Sequence, residues 1–227
     1  MLPFATTVDP PEWLTALAMT TVAVYNMDES HGINHFLNVR RNAIMLGINA
    51  SLPTSRLMIV ADAAYAHDLI DTKYVHDVPE QLERVRSAFL QNGYSASCWI
   101  TVEKILTTMS FSVRAERLKQ GLPAIRIDSD WLLVAIVADA DQLDAYDVNR
   151  CITFQNRRFD RLPGISTPER IRLIRGWVKT ILVNRVLQYR DTYMFTELAK
   201  KVAEPLHNQV EKYVQTELAG DEIFDYP

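Results

Sequence analysis

Apolar residues recur at helical spacing along almost the whole chain, and no stretch alternates long enough to define a strand. Trp13, Leu14, Leu17, Val22 and Val24 follow Pro10-Pro11-Glu12 and predict a first helix to about Asn26, with proline in its opening turn. Asp28 to Ser30 reads as a turn, with Ser30 capping a second helix that runs to about Gly47 and carries Phe36, Val39, Ala43 and Leu46 on one face. Pro53-Thr54 opens a third helix that ends at His67-Asp68; its alanines permit close packing, which suits a central element. Asp71 to Val78 is read as a loop or short turn, Pro79 to Gln91 as a more polar fourth helix closed by Asn92-Gly93, and Ser95 as the cap of a fifth through Trp99, Val102, Ile105 and Leu106. Residues 113–129 are charged, contain Gly121-Leu122-Pro123, and predict an exposed loop over a site. Asp130-Trp131 starts a sixth helix, whose run from Leu132 to Ala138 is continuous enough to be fully buried, and residues 145–160 continue as helix. Ser166-Thr167-Pro168-Glu169 is a helix-start signal for two long amphipathic helices, about 168–190 and 194–218, before an acidic, frayed tail. The expectation is an all-α protein: a compact single-domain bundle of roughly eight to ten helices over 1–227, with its core at about 12–218 and the tail at 219–227.

Composition narrows the function classes. The 227 residues suffice for one sizeable core, and 48% hydrophobic with 23% charged content is ordinary for a globular chain. There are only seven glycines and no Gly-rich phosphate loop. A net charge of −4 without a dense basic patch argues against a nucleic-acid polymer as partner. Arg157, Arg158 and Arg161 form a small cluster that suits a solvated loop or a local anion contact. Cys98 and Cys151 sit in apolar helical contexts and read as buried thiols of a cytosolic protein; their number excludes a zinc finger. Residues 13–25 are apolar, but no basic residue precedes them and the run is too short to span a bilayer, so an amphipathic helix is expected rather than a signal peptide. A cytoplasmic location without a membrane partner follows as an expectation.

Three stretches carry candidate chemistry. His67 and Asp68 are adjacent, and neighbours on a helix point about 100° apart, so the pair converges on one point only near a helix end or against a metal. Imidazole nitrogen with carboxylate oxygen suits a borderline-to-hard divalent cation. Upstream, His31 and His35 share a helix face; Arg40 and Arg41 are expected to face outward, with Arg40 in reach of the mouth of a site at the helix start. Downstream lie Asp139, Asp141 and Asp144, of which 139 and 141 point to different sides of a helix, so at most one of those two is a direct ligand. His76 and His207 carry no motif and are expected to be exposed.

In context these stretches read S-H-x-x-x-H-x-x-x-V from Ser30, H-D-x-x-D-x-K-Y from His67 and D-A-D-x-L-D-A from Asp139. The three in this order resemble the HD-domain metal-dependent phosphohydrolase superfamily, and most of all its small stand-alone bacterial-type branch, over about residues 12–218. The resemblance implies a helical HD-type bundle holding one divalent ion (Mn, Co, Ni, Fe or Mg) on His35, His67, Asp68 and Asp141, with positions left for water and a phosphate oxygen. It implies Asp71 as general acid/base and Lys73 as a phosphate contact, unless Lys73 only pairs with Asp71. His31, Arg40 and Asp144 are candidate substrate contacts. The alternative for His31 is a polar residue at a helix start, and for Asp144 an anchor on the helix face. The implied activity is hydrolysis of a phosphate ester or anhydride, most plausibly of a nucleotide; the alternative is a catalytically silent metal-binding module with a regulatory or interaction role. The long C-terminal helices could pack within the domain or across a homodimer. Trp99, Tyr74, Phe111 and Phe159 are base-stacking candidates or core residues. The chain departs from the pattern at Gly32, where relatives carry Asp, and at Asn38, where they carry Arg. It also has Met109 where a His is expected before Ser-Phe-Ser. Methionine is a poor ligand for a hard cation, which argues for one metal rather than two.

Overall fold

The computed structural model describes residues 9–126, 128–160, 162 and 164–225. Ten α-helices and no strand occur among the described residues: α1 (Glu12–Val24), α2 (Ile33–Asn49), α3 (Thr54–Ala66), α4 (Val78–Gln91), α5 (Ala96–Thr108), α6 (Phe111–Lys119), α7 (Trp131–Asp144), α8 (Val148–Asp160), α9 (Thr167–Asn184) and α10 (Glu197–Thr216). The all-α expectation holds.

The centre of the molecule is the trio α2, α3 and α7, with α2 packed against both of the others. Its interior is built from small side chains. Ala43 of α2, Ala63, Ala64 and Ala66 of α3, and Ala135, Ala138 and Ala140 of α7 are all fully buried, and short side chains let helix axes approach. Gly47 extends this: a Cβ there would collide with the Leu57 side chain of α3. The run Leu133 to Ala140 of α7 is buried on every side, so α7 is the innermost helix. Trp13, Phe89, Tyr94 and Trp99 close the end formed by α1, α4 and α5 through edge-on and tilted ring contacts.

Several expectations change. Residues 113–129 are not one loop, because Ser110 accepts from Val113 N and caps α6. Arg114 on α6 is completely buried, donating to the carbonyls of Met109 and Tyr193. The helix through 145–160 is interrupted at Ala145–Asp147, where Asp147 accepts from Asn149 N and restarts the chain as α8. The first long C-terminal helix stops at Asn184 and gives way to short helical turns over Val186–Gln188 and Tyr189–Tyr193. Ser30 does not cap α2. Asp28 caps a short turn over Glu29–His31 instead, and Gly32 precedes α2 without a side-chain cap. His207 is buried, 3.5 Å from Tyr146 Oη, because α10 lays that face on the core; His76 is exposed as expected. Both cysteines are partly exposed rather than buried. Arg158 lies over the Trp177 ring and Arg157 donates to Asn26, while Arg161 lies outside the described residues. Trp99 and Phe159 are core residues.

The tail is docked, not frayed, as far as Asp225; residues 226 and 227 lie outside the described residues. Arg175 pairs with Asp221 at 2.9 Å, Arg172 with Glu222 at 2.7 Å, and Phe224 N donates to Thr180 Oγ1 at 2.8 Å. The Phe224 ring fills the space above Gly176, where a Cβ would collide with it. No helix is long and apolar enough to cross a membrane among the described residues.

Asp139 ties α7 to α10. Its carboxylate accepts from the backbone of Phe195 at 3.0 Å and from Thr196 N and Oγ1, both at 2.7 Å. Burial pushes its carboxyl up to about 6, against the lowering effect of these donors. Replacement by alanine strands two backbone donors and is expected to cost about 3 kcal/mol in urea denaturation. Because the folded state holds the Asp139 proton more tightly than the unfolded chain does, its contribution is complete below pH 4 and is lost as pH rises through 6. The wild type should therefore lose up to roughly 3 kcal/mol between pH 4 and 6 relative to Asp139→Asn, read from denaturation midpoints of both proteins.

Candidate metal centre

The site lies where the first turn of α2, the end of α3 and the last turns of α7 meet. α3 ends at Ala66, and the chain tightens into a 3₁₀ turn over His67–Ile70. This change of helical geometry answers the problem of two adjacent candidate ligands. At the helix end both side chains turn to one point, with His67 Nε2 and Asp68 Oδ1 3.2 Å apart.

The protonation of the two buried imidazoles is dictated by their outer neighbours. His67 Nδ1 lies 2.8 Å from the carbonyl of Ala64, which can only accept, so Nδ1 carries the proton. His35 Nδ1 lies 2.7 Å from Asp144 Oδ2 and donates to it for the same reason. With each Nδ1 committed to its outer partner, each Nε2 offers a lone pair to the site whenever its ring is neutral, and the two face each other at 3.0 Å. Asp68 Oδ2 is 3.3 Å and Asp141 Oδ1 3.6 Å from His35 Nε2. The Asp68 Oδ2 atom is buried without a hydrogen-bond donor among the described residues. Asp68 and Asp141 thus each lie within 3.7 Å of both Nε2 atoms, an arrangement that needs a proton or a cation.

The electrostatics respond accordingly. Burial opposes charge on His67, but Asp68 and Asp141 overcome it and push the imidazole up to about 9. Burial alone would raise Asp68 and Asp141; the facing imidazoles instead hold Asp68 well below, and Asp141 below, the usual carboxylate range, with Arg150 contributing at Asp141. His35, His67 and Asp141 offer ligand atoms within 4.8 Å of one another, as do His31, Asp68 and Asp71. A His/Asp group capable of binding a metal ion is present. Its outer partners, a carboxylate and a backbone carbonyl on the second ring nitrogens, are those that fix imidazoles in metal sites.

The remaining sequence-derived candidates divide. Asp71 follows the 3₁₀ turn; it accepts from Lys73 N at 2.9 Å and pairs with Lys73 Nζ at 3.1 Å. His31 is buried, with Nδ1 2.8 Å from Ser30 Oγ and 3.0 Å from Tyr74 Oη. Asp28 also takes the Tyr74 hydroxyl, at 2.7 Å. Asp144 stands behind His35 and accepts from Asn38 Nδ2 at 2.9 Å. Arg40 needs correcting: it faces inward, not outward, buried between α2 and α3 in an ion pair with Asp62, which also accepts from the Tyr94 hydroxyl. A side chain spent neutralising a buried carboxylate does not reach the mouth of the site.

Sequence reasoning missed Arg150. The interruption after α7 lets α8 bring it back: Nε donates to the Ser30 carbonyl at 2.6 Å, Nη2 lies 3.0 Å from His35 Nε2 and Nη1 3.3 Å from Asp144 Oδ2. The available signal was an arginine shortly after three carboxylates, across a turn that was read as helix.

Two cavities meet at the carboxylates. One, of about 380 Å³, includes His31, Asp68, Asp141, Arg150, Phe154 and Trp177 in its lining. The other, of about 1200 Å³, includes His67, Asp68, Asp71, Lys73, Met109 and Lys119.

Solved structures share this architecture. Bacillus subtilis YpgQ in complex with ADP matches with a TM-score of 0.63 and 21% identity, covering 90% of this chain and 95% of YpgQ. A protein from Lactobacillus plantarum matches with a TM-score of 0.68 and 20% identity over 93% of this chain and 97% of its own. The chain has the fold of YpgQ-like proteins. No family model matches the sequence, and no curated protein matches it.

A cation between the two Nε2 atoms should stabilise the fold, so added Mn or Co is expected to raise Tm, by an amount that grows with metal concentration. Asp144→Ala, which frees the His35 ring, should weaken the metal Kd by about 10- to 100-fold while retaining the helical signal in circular dichroism.

Proposed function

We propose that this protein is a divalent-metal-dependent phosphohydrolase acting on a nucleotide. The observation that carries the reading is the convergence of His35 Nε2, His67 Nε2, Asp68 and Asp141 around one spot at the junction of two cavities. Two imidazoles and two carboxylates are a nitrogen/oxygen donor set suited to Mn, Co, Ni, Fe(II) or Mg in an open site rather than to closed structural zinc. Held by these four residues, one such ion would neutralise phosphate charge and lower the pKa of a water.

The chain's own groups account for the rest. Asp71, with a carboxylate oxygen within 4.8 Å of ligand atoms of Asp68 and His31, is the general acid/base that takes a proton from water or returns one to the leaving oxygen. Lys73, in the lining of both cavities, and Arg150, in that of the smaller, bring positive charge to the carboxylate pair, where an anionic substrate would lie. The resemblance of the three motifs to HD-domain phosphohydrolases supports the reaction class. The shared fold with a protein captured with ADP supports a nucleotide ligand.

Met109 favours a second reading. It is buried and lines the larger cavity where the resemblance expects a histidine, which suits a metal-binding module without turnover. Elemental analysis and a nucleotide-hydrolysis panel with Mn, Co or Mg separate the two. About one ion per chain is expected, lost in both His67→Ala and Asp68→Ala. Turnover should vanish in Asp68→Ala and fall by about 100- to 10,000-fold in Asp71→Asn. Metal binding with no turnover of any nucleotide would establish the silent module, and turnover that survives Asp68→Ala would remove the proposed site.

A further inference from the structure

Part of the smaller cavity's lining is not accounted for by phosphate chemistry. Beside the polar groups at the carboxylates, Phe154, Trp177 and Ile181 give it an apolar, aromatic wall. Gln155 of α8 belongs to the same lining and is completely buried. Neither its Nε2 nor its Oε1 has a hydrogen-bond partner among the described residues. Leaving one buried polar atom unpaired is costly, and an amide that leaves both donor and acceptor unpaired calls for an occupant that satisfies both.

An amide offers a donor and an acceptor side by side, which matches the edge of a nucleobase, and glutamine pairs in this bidentate manner with adenine. Aromatic and aliphatic walls suit the faces of a base. A volume of about 380 Å³ lies within the range of small-molecule sites, roughly 300–1,000 Å³.

We propose that the smaller cavity is a nucleobase pocket and that Gln155 pairs with the donor–acceptor edge of the base, favouring adenine, with the phosphates directed toward Asp68 and Asp141. The placement of the phosphates rests on the phosphohydrolase reading; the base pocket rests on the buried amide.

The test is binding, by calorimetry on the full-length protein, of the α,β-methylene diphosphates of adenosine, guanosine, cytidine and uridine, with methylenediphosphonate as the base-free probe. The adenosine compound is expected to bind at least about tenfold tighter than the base-free probe and than the other three. In Gln155→Leu, which keeps the volume and removes both polar atoms, the spread among bases should collapse to within about threefold, with affinity for methylenediphosphonate unchanged. Tm should hold or rise, because an unpaired buried amide has been replaced by an apolar group. Gln155→Glu, which retains an acceptor but no donor, should lose the preference as well. A base preference that survives in Gln155→Leu, or no base-dependent binding by the wild type, overturns the proposal. A large fall in Tm in Gln155→Leu also overturns it, since the amide would then hold the fold. Asp71-dependent hydrolysis of nucleotides without any base preference would overturn it while leaving the phosphohydrolase reading in place.

Discussion

Two imidazole Nε2 atoms facing each other at 3.0 Å are the constraint on which the rest of this structure turns. Each is fixed from behind, one ring by the Ala64 carbonyl and the other by Asp144, so neither can rotate its tautomer to relieve the repulsion. Two carboxylates on the same spot add negative charge. A chain assembles such a cluster only if the surrounding packing holds it and positive charge answers it. A proton on His67, favoured by the neighbouring carboxylates, answers it in part, and Arg150 does so from one side. A divalent cation would answer all four groups together.

The packing that holds the cluster is the alanine-lined trio α2, α3 and α7. On α7 the sequence numbers explain the division of labour. Asp139 and Asp141 are two residues apart, about 200° around the helix, while Asp141 and Asp144 are three apart and return to within about 60° of the same face. Asp139 thus faces away and receives the turn before α10, whereas Asp141 and Asp144 face His35 together. One helix places a ligand candidate, orients the candidate opposite it and anchors the C-terminal helix. Disturbing its register would disturb all three at once.

How much of this was legible follows from how far each signal reaches. Helical periodicity and capping at Ser95 are local, and so is the ending of α3 at His67-Asp68; most helices could be read directly. The opposed faces of Asp139 and Asp141 followed from spacing alone. Long-range partners could not be read. Nothing near Arg40 says that Asp62 lies beneath it, and the exposed look of a doubly basic Arg40-Arg41 step pointed the wrong way. Ser110 looked like part of a motif, so its role as the cap of α6 was overlooked, and with it the buried Arg114. The charged tail looked solvated because its partners, Arg172 and Arg175, lie almost fifty residues upstream.

The departures from the pattern it resembles are intelligible in the same terms. Gly32 has φ −97° and extended backbone, and a Cβ there would meet nothing closer than 3.5 Å, so no conformational need accounts for the glycine. Asn38 carries no charge, but it donates to Asp144 Oδ1 and so keeps the carboxylate that orients His35 in place. The guanidinium on the other oxygen of Asp144 comes from Arg150, a different helix. Met109 lies in the wall of the larger cavity beside His67 and Asp71, where a thioether adds no strong ligand and no charge. The substitutions therefore fall around the cluster rather than within it. They alter the surroundings of the cluster while leaving His35, His67, Asp68 and Asp141, and the backbone carbonyl and carboxylate that aim the two imidazoles, untouched.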